Sequence, residues 1–199
     1  MAPFTVLHIC MGNICRSPMA ERLLVRAVRD RVGDRADQLL RSLSAGTGGW
    51  HEGEEMNPPA ARQVRSRGGS IDGFAARKLR GGFLDEADLI LTATSDQTDY
   101  VLALRPEAGP RTFVLGEFGR LLGRLDPAEL PAAEPEPDAV RARGVAIVAA
   151  AHRARGDDHP LPTDDLDDPW GRGDQTFQRI GDEIEDATVP FAKLLLEKN

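Results

Sequence analysis

Disulfides cannot frame this chain. Its 199 residues include only two cysteines, Cys10 and Cys15, five positions apart in one short segment. They provide no scaffold for a secreted fold, and too few thiolates for a structural zinc site unless histidines complete it. Long apolar runs are also missing, and the first eight residues lack the basic and apolar regions of a signal peptide. A soluble, cytoplasmic protein without membrane contact is therefore expected. Positive charge is in deficit: the formal net charge is -7, which argues against nucleic acid as a partner. The deficit is uneven, because residues 1–81 carry 13 Lys or Arg against 8 Asp or Glu, whereas residues 82–199 carry 12 against 24. The first part is net basic, and such asymmetry steers an anionic substrate toward it.

What is present starts with a core-forming composition. At 41% hydrophobic residues the chain can bury one sizeable core, so a single domain with an insertion is expected. No internal repeat is apparent. The mostly apolar run Phe4 to Ile9 reads as a strand covered on both faces. Directly after it comes Cys10-Met11-Gly12-Asn13-Ile14-Cys15-Arg16-Ser17-Pro18, followed by Met19, Leu23, Leu24, Ala27 and Val28 at helical spacing as far as Val32-Gly33. Ser17 suits the helix N-cap and Pro18 its first position.

A turn between strand and helix converges backbone N–H groups and the positive end of the helix dipole on one point, which is a cradle for phosphate. The same field favours thiolate over thiol at Cys10 and makes it a nucleophile. Arg16 adds a planar fork that grips two phosphoryl oxygens, which lysine cannot do equivalently. The phosphate cradle is thus expected over Met11, Gly12, Asn13, Ile14, Cys15, Arg16 and Ser17.

Further strands are expected at Leu39–Ala45, Ala87–Thr92 and Thr112–Leu115, with helices after Asn57-Pro58 and over Ser95–Leu104. This alternation argues for an α/β fold of three layers: a four-stranded parallel sheet with helices on both faces, and the phosphate loop after strand 1. A closing helix from Phe177 carries Ile180, Ile184, Phe191, Leu194 and Leu195 at helical spacing, and Pro190 is expected to kink or split it. Residues 123–160 break the pattern. A Pro- and Glu-rich linker over 126–137 precedes an alanine-rich helix from Asp138 to about Arg155. The segment reads as an insertion near the mouth of the site, serving as a lid or a partner surface.

The stretch Val6-Leu7-His8-Ile9-Cys10-Met11-Gly12-Asn13-Ile14-Cys15-Arg16-Ser17-Pro18 resembles the signature of the low-molecular-weight protein tyrosine phosphatases. The resemblance implies a loop held rigid by Asn13, Ser17 and Ser44, and a substrate rim that includes Trp50. It also implies a proton donor in an Asp-Pro pair, matched here by Asp168 in Asp164-Asp165-Leu166-Asp167-Asp168-Pro169-Trp170-Gly171, with Trp170 as a second rim residue. Neighbouring carboxylates would favour the protonated form of Asp168, and Asp167 and Asp165 are its competitors for the role. Many members have a histidine where this chain has Phe74, so the loop network is expected to be one partner short. A calcium loop does not fit the acidic stretch, because Pro169 and Trp170 fall where a ligand and a glycine are needed.

The implied activity is hydrolysis of phosphate monoesters through a phosphocysteine, with Cys10, Arg16 and Asp168 catalytic and no cofactor or metal required. A phosphotyrosine protein, a small aryl phosphate and a phosphoarginine-like substrate would all fit the cradle. An arsenate reductase of the same fold would need a further cysteine pair outside the loop, and a non-catalytic phosphate-binding module would need neither nucleophile nor acid. Cys15 reads either as a resolving thiol for oxidised Cys10 or as a packed structural cysteine.

Overall fold

Seven consecutive buried residues, Phe4–Cys10, form the strand β1 at the centre of the computed structural model, which describes residues 2–197. Its partners are β2 (Leu40–Gly46), β3 (Leu89–Thr92) and β4 (Thr112–Val114), all parallel, in the order β2-β1-β3-β4. Around them stand α1 (Arg16–Val32), α2 (Ala36–Leu39), α3 (Pro58–Ser66), α4 (Gly81–Glu86), α5 (Ser95–Leu104), α6 (Leu115–Leu122), α7 (Pro137–Arg155) and α8 (Asp174–Leu196). The chain leaves β1 toward β2 and then crosses to β3 on the other side. The carboxyl end of β1 is therefore the switch point where such sheets open a crevice for ligands, and Cys10 stands at that end.

Strand alternation sorts the core into two faces. Phe4 and Val6 face one way, into a cluster with Met19, Leu23, Phe118, Phe177, Ile184 and Phe191 from α1, α6 and α8. Leu7 and Ile9 face the other way, against Leu84, Val101 and Ala108 from α4, α5 and the turn after it. The sheet is thus the middle of three layers, as its alternating elements imply.

Three local expectations are corrected. Ser17 is not the N-cap and Pro18 is not the first helical residue: α1 begins at Arg16 after Cys15. The Ser17 hydroxyl turns instead into the loop, where it meets Cys10 and Asn13. Of the two outcomes expected at Pro190, a kink or a split, the split does not occur, since α8 continues to Leu196. Pro190 and Asp186, whose carbonyl loses its helical partner, both lie on the exposed side, where water can satisfy that oxygen.

The third correction concerns the segment at 123–160. Its helix α7 does not sit at the mouth of the site but runs along the amino ends of the strands. Gly144 passes so close to Phe4 that a Cβ there would lie 2.5 Å from the ring. Arg141 bonds Asp88 just before β3 at 3.0 Å, and Arg155 bonds the carbonyls of Thr112 and Gly109 at 2.8 and 3.0 Å. Phe4 and Cys10 are the two ends of β1, about 20 Å apart at strand rise, so α7 buttresses the end of the sheet remote from Cys10. Composition announced the helix, but not which end of the sheet it would cover.

Candidate active site

The loop after β1 is shaped by backbone as much as by side chains. Asn13 adopts φ 55, a left-handed conformation that asparagine tolerates better than most residues. The end of β2 presses against the loop: Thr47 and Gly48 N–H groups donate to the carbonyls of Cys10 and Met11, both at 2.9 Å. A Cβ on Gly46 would lie 2.7 Å from the Met11 oxygen, so glycine permits this approach.

Cys10 is almost fully buried, with its Sγ 2.9 Å from Ser17 Oγ and 3.3 Å from the Asn13 N–H. The Asn13 amide donates to Ser17 Oγ and to Ser44 Oγ, both at 2.9 Å, and its Oδ1 accepts from the Arg77 N–H at 2.8 Å. The structure thus brings Asn13, Ser17 and Ser44 into one network beside the sulfur. It adds a member that the sequence reading missed: Ser44 Oγ donates to Glu21 Oε2 at 2.5 Å. Burial raises the Glu21 pKa, against the pull of Ser44 and Arg22. Glu21 stands one helical turn beyond Ser17, and that i, i+4 spacing was its only sequence signal. The Phe74 side chain has no polar atom to offer the network; its ring lies 5.8 Å from the Arg22 guanidinium.

Arg16 is buried beside the sulfur and reaches across the sheet. Its Nη1 donates to the Leu166 carbonyl at 3.1 Å, and its Nη2 lies 3.8 Å from Asp168 Oδ1. Leu166 in turn donates its N–H to the Ala93 carbonyl at the end of β3, at 2.8 Å. Neither residue carried a chemical signal in the sequence.

The acidic stretch separates into distinct environments. Asp164 is buried and forked by Arg120 at 2.7 and 3.2 Å; Asp165 accepts from the Ser95 N–H at 2.8 Å. Asp167 pairs with Arg179 at 2.6 Å. Asp168 alone of the four lines the cleft over Cys10, with about half of its side chain exposed. The competitors Asp167 and Asp165 are occupied elsewhere. The cation within ion-pair distance of Asp168 is Arg16, at 3.8 Å.

That cleft has a volume of about 210 Å³. Its floor is Cys10, Met11, Gly12, Ile14, Cys15 and Arg16, and its walls are Trp50, His51, Asp168 and Trp170. Both expected rim tryptophans are present and well exposed, Trp50 at 71% and Trp170 at 58%. His51, which the sequence reading did not single out, packs against Trp170 with ring centroids 5.7 Å apart. Cys15 shares the floor, but burial, followed by the Cys10 and Asp168 charges, pushes its thiol up to about 12. A larger cleft between α1 and β2 is lined by Arg22, Arg26, Arg29 and Arg41, and each of these four already contacts a carboxylate.

A parallel α/β sheet with a cysteine and an arginine in an anion-cradling loop at its switch point defines a class of phosphoryl-transfer proteins. Residues 5–129 match the family model of the low molecular weight phosphotyrosine protein phosphatases, and the chain belongs to that family. It is 36% identical over 126 residues to a low molecular weight protein-tyrosine-phosphatase of Streptomyces coelicolor, covering 63% of this chain and 71% of the relative. It is 34% identical over 134 residues to the Bacillus subtilis protein-tyrosine-phosphatase YfkJ, covering 67% of this chain and 80% of that one. Among solved structures, a protein tyrosine phosphatase of Entamoeba histolytica superposes with a TM-score of 0.66 at 21% identity, over 94% of this chain and 93% of the other. The family's activity, hydrolysis of phosphate monoesters through a phosphocysteine, is the activity of this enzyme, and the arsenate reductase and binding-module readings are not favoured.

Proposed function

We propose that Cys10, Arg16 and Asp168 carry this activity, on one observation above others: the sulfur with its two hydrogen-bond partners, the guanidinium and a half-exposed carboxylate all open on the same cleft. The Cys10 thiolate attacks phosphorus in line. As the S–P bond forms and the ester P–O bond breaks, Asp168 gives its proton to the departing oxygen. Arg16 and the loop N–H groups hold the equatorial oxygens as charge develops on them. Water then attacks the phosphocysteine, with Asp168 accepting its proton, and the sulfur leaves as an anion toward Ser17 Oγ. Asn13, Ser17, Ser44 and Glu21 keep the cradle preformed, so no reorganisation is needed at the moment of reaction.

The substrate is a phosphotyrosine protein or a small aryl phosphate. Flat apolar walls at Trp50 and Trp170 over Met11 and Ile14 suit a phenyl ring, and Asp168 is the only carboxylate among the cleft residues, leaving no separate anion to receive a phosphorylated guanidinium. Two free thiols suit a reducing, cytoplasmic setting, and among the described residues no helix is long and apolar enough to cross a membrane. Residues 123–160 are an insertion that supports the amino ends of the strands. Replacing Cys10 with Ser should abolish hydrolysis of p-nitrophenyl phosphate, and retained turnover would refute the scheme. Catalytic efficiencies on phosphotyrosine, phosphoserine and phosphoarginine peptides test the specificity, with phosphotyrosine expected to lead.

A further inference from the structure

Three separate parts of the chain meet at the His51 imidazole. Its Nδ1 lies 2.7 Å from Glu54 Oε2, which fixes the plane of the ring. Below it is the phosphate loop, where a Cβ on Gly12 would come within 3.1 Å of His51 Cδ2. Beside it is the Trp170 indole, at 5.7 Å between centroids and an interplanar angle of 40°.

Trp170 is joined to the acid. Its backbone N–H donates to Asp168 Oδ1 at 3.1 Å, and a tight turn follows, with the Arg172 N–H on the Pro169 carbonyl at 2.9 Å and Gly171 at φ +71. On its amino-terminal side the segment is anchored by Leu166 to Ala93 and Arg16, and by Asp167 to Arg179. The Asp168 side chain, half exposed, has no cation closer than Arg16 at 3.8 Å. Beyond Asp168, the Trp170 ring meets His51 over the cleft, and the next tie is Asp174 at the start of α8, paired with Arg62 at 2.7 Å.

We propose that His51, braced by Glu54, is a positioning residue: it holds Trp170, and through it the Asp168 carboxyl, over the phosphate loop. The inference rests on the reading of Asp168 as the proton donor. His51 itself transfers no proton. It raises the fraction of enzyme in which the carboxyl stands within reach of the leaving oxygen, and a ring contact of this kind changes such a fraction by up to about tenfold.

The test is kcat/KM of the full chain on p-nitrophenyl phosphate and phenyl phosphate. Nitrophenolate departs with little need of a proton, whereas phenolate departs poorly without one. His51→Ala is expected to slow phenyl phosphate about tenfold more than p-nitrophenyl phosphate. His51→Phe, which keeps a ring against Trp170, should restore most of that difference, and Glu54→Ala should shift the ratio in the same direction by less. In an Asp168→Ala background, His51→Ala should leave the ratio unchanged. Equal losses on the two substrates, or a ratio change that persists without Asp168, would overturn the positioning role. If Asp168→Ala alone leaves the ratio unchanged, the acid assignment itself fails, an outcome distinct from failure of the clamp alone.

Discussion

Arg16 and Leu166 are hydrogen-bonded, guanidinium Nη1 to carbonyl oxygen at 3.1 Å, across 150 residues of chain. One donor of the loop arginine thus holds the backbone that presents Asp168, while its Nη2 remains directed at the acid side of the cleft. In the proposed scheme, phosphate binding and acid placement share one planar group, and the rigidity of the fork matters to both.

Lysine at position 16 should expose this double use. A point charge could still meet phosphate, but it cannot also hold the Leu166 carbonyl in the same geometry. Arg16→Lys is expected to lower kcat/KM on p-nitrophenyl phosphate by about 10²–10³ and to cost about 1 kcal/mol of stability through the orphaned carbonyl. Steady-state kinetics together with urea denaturation check both effects. A loss of activity with unchanged stability would separate the two uses.

Asn13 combines a left-handed backbone with three side-chain hydrogen bonds, two donated and one accepted. Gly and Ala substitutions divide these contributions. Asn13→Gly keeps the turn and loses the bonds, whereas Asn13→Ala loses the bonds and adds about 1 kcal/mol of backbone strain. Both variants should lose turnover, and the alanine variant should melt at the lower temperature. Equal melting temperatures would mean that the backbone conformation relaxes on substitution.

The loop was legible because its chemistry is local. A strand pattern, a cysteine, a glycine, an asparagine and an arginine all lie within one turn, and each constrains the next. The proposed acid, Asp168, was singled out only through resemblance, since four aspartates in five positions look alike until Arg120, Ser95 and Arg179 occupy three of them. Leu166, Ala93 and Glu54 were illegible because they act through backbone groups or through pairings that a linear pattern does not encode. Ser17 misled because serine before proline is a strong capping signal, and here the hydroxyl finds better partners in Cys10 and Asn13. The alanine-rich helix was visible from composition, but its location depended on Phe4, Asp88 and Thr112, residues far away in sequence.

Cys10 and Cys15 share one cleft, so access alone does not separate them. Burial keeps Cys15 protonated at pH 7, with its thiol pushed up to about 12. Iodoacetamide at neutral pH should therefore add one carbamidomethyl group, at Cys10, and none to a Cys10→Ser variant. Peptide mass spectrometry reads the position, and rapid labelling of Cys15 would contradict the assignment. The same protonation makes Cys15 a slow nucleophile, which favours its packed structural role over a quick resolving one.

His8 predicts an acid lability unrelated to catalysis. It is fully buried in β1, with Nε2 3.1 Å from Ser42 Oγ and Nδ1 without a hydrogen-bond partner, and burial lowers its pKa from 6.5 to about 3. The folded state therefore keeps the ring neutral where the unfolded chain protonates it. The contribution to stability is complete above pH 6.5 and declines as the pH falls toward 3, at about 1.4 kcal/mol per pH unit. Between pH 6.5 and 5 this amounts to roughly 2 kcal/mol. His8→Val should lose some stability at pH 7.5 from the smaller side chain, yet show a shallower fall toward pH 5, by about that amount. Urea midpoints of both proteins at the two pH values measure the difference. Identical slopes would mean that the buried ring finds a way to carry its proton in the folded state.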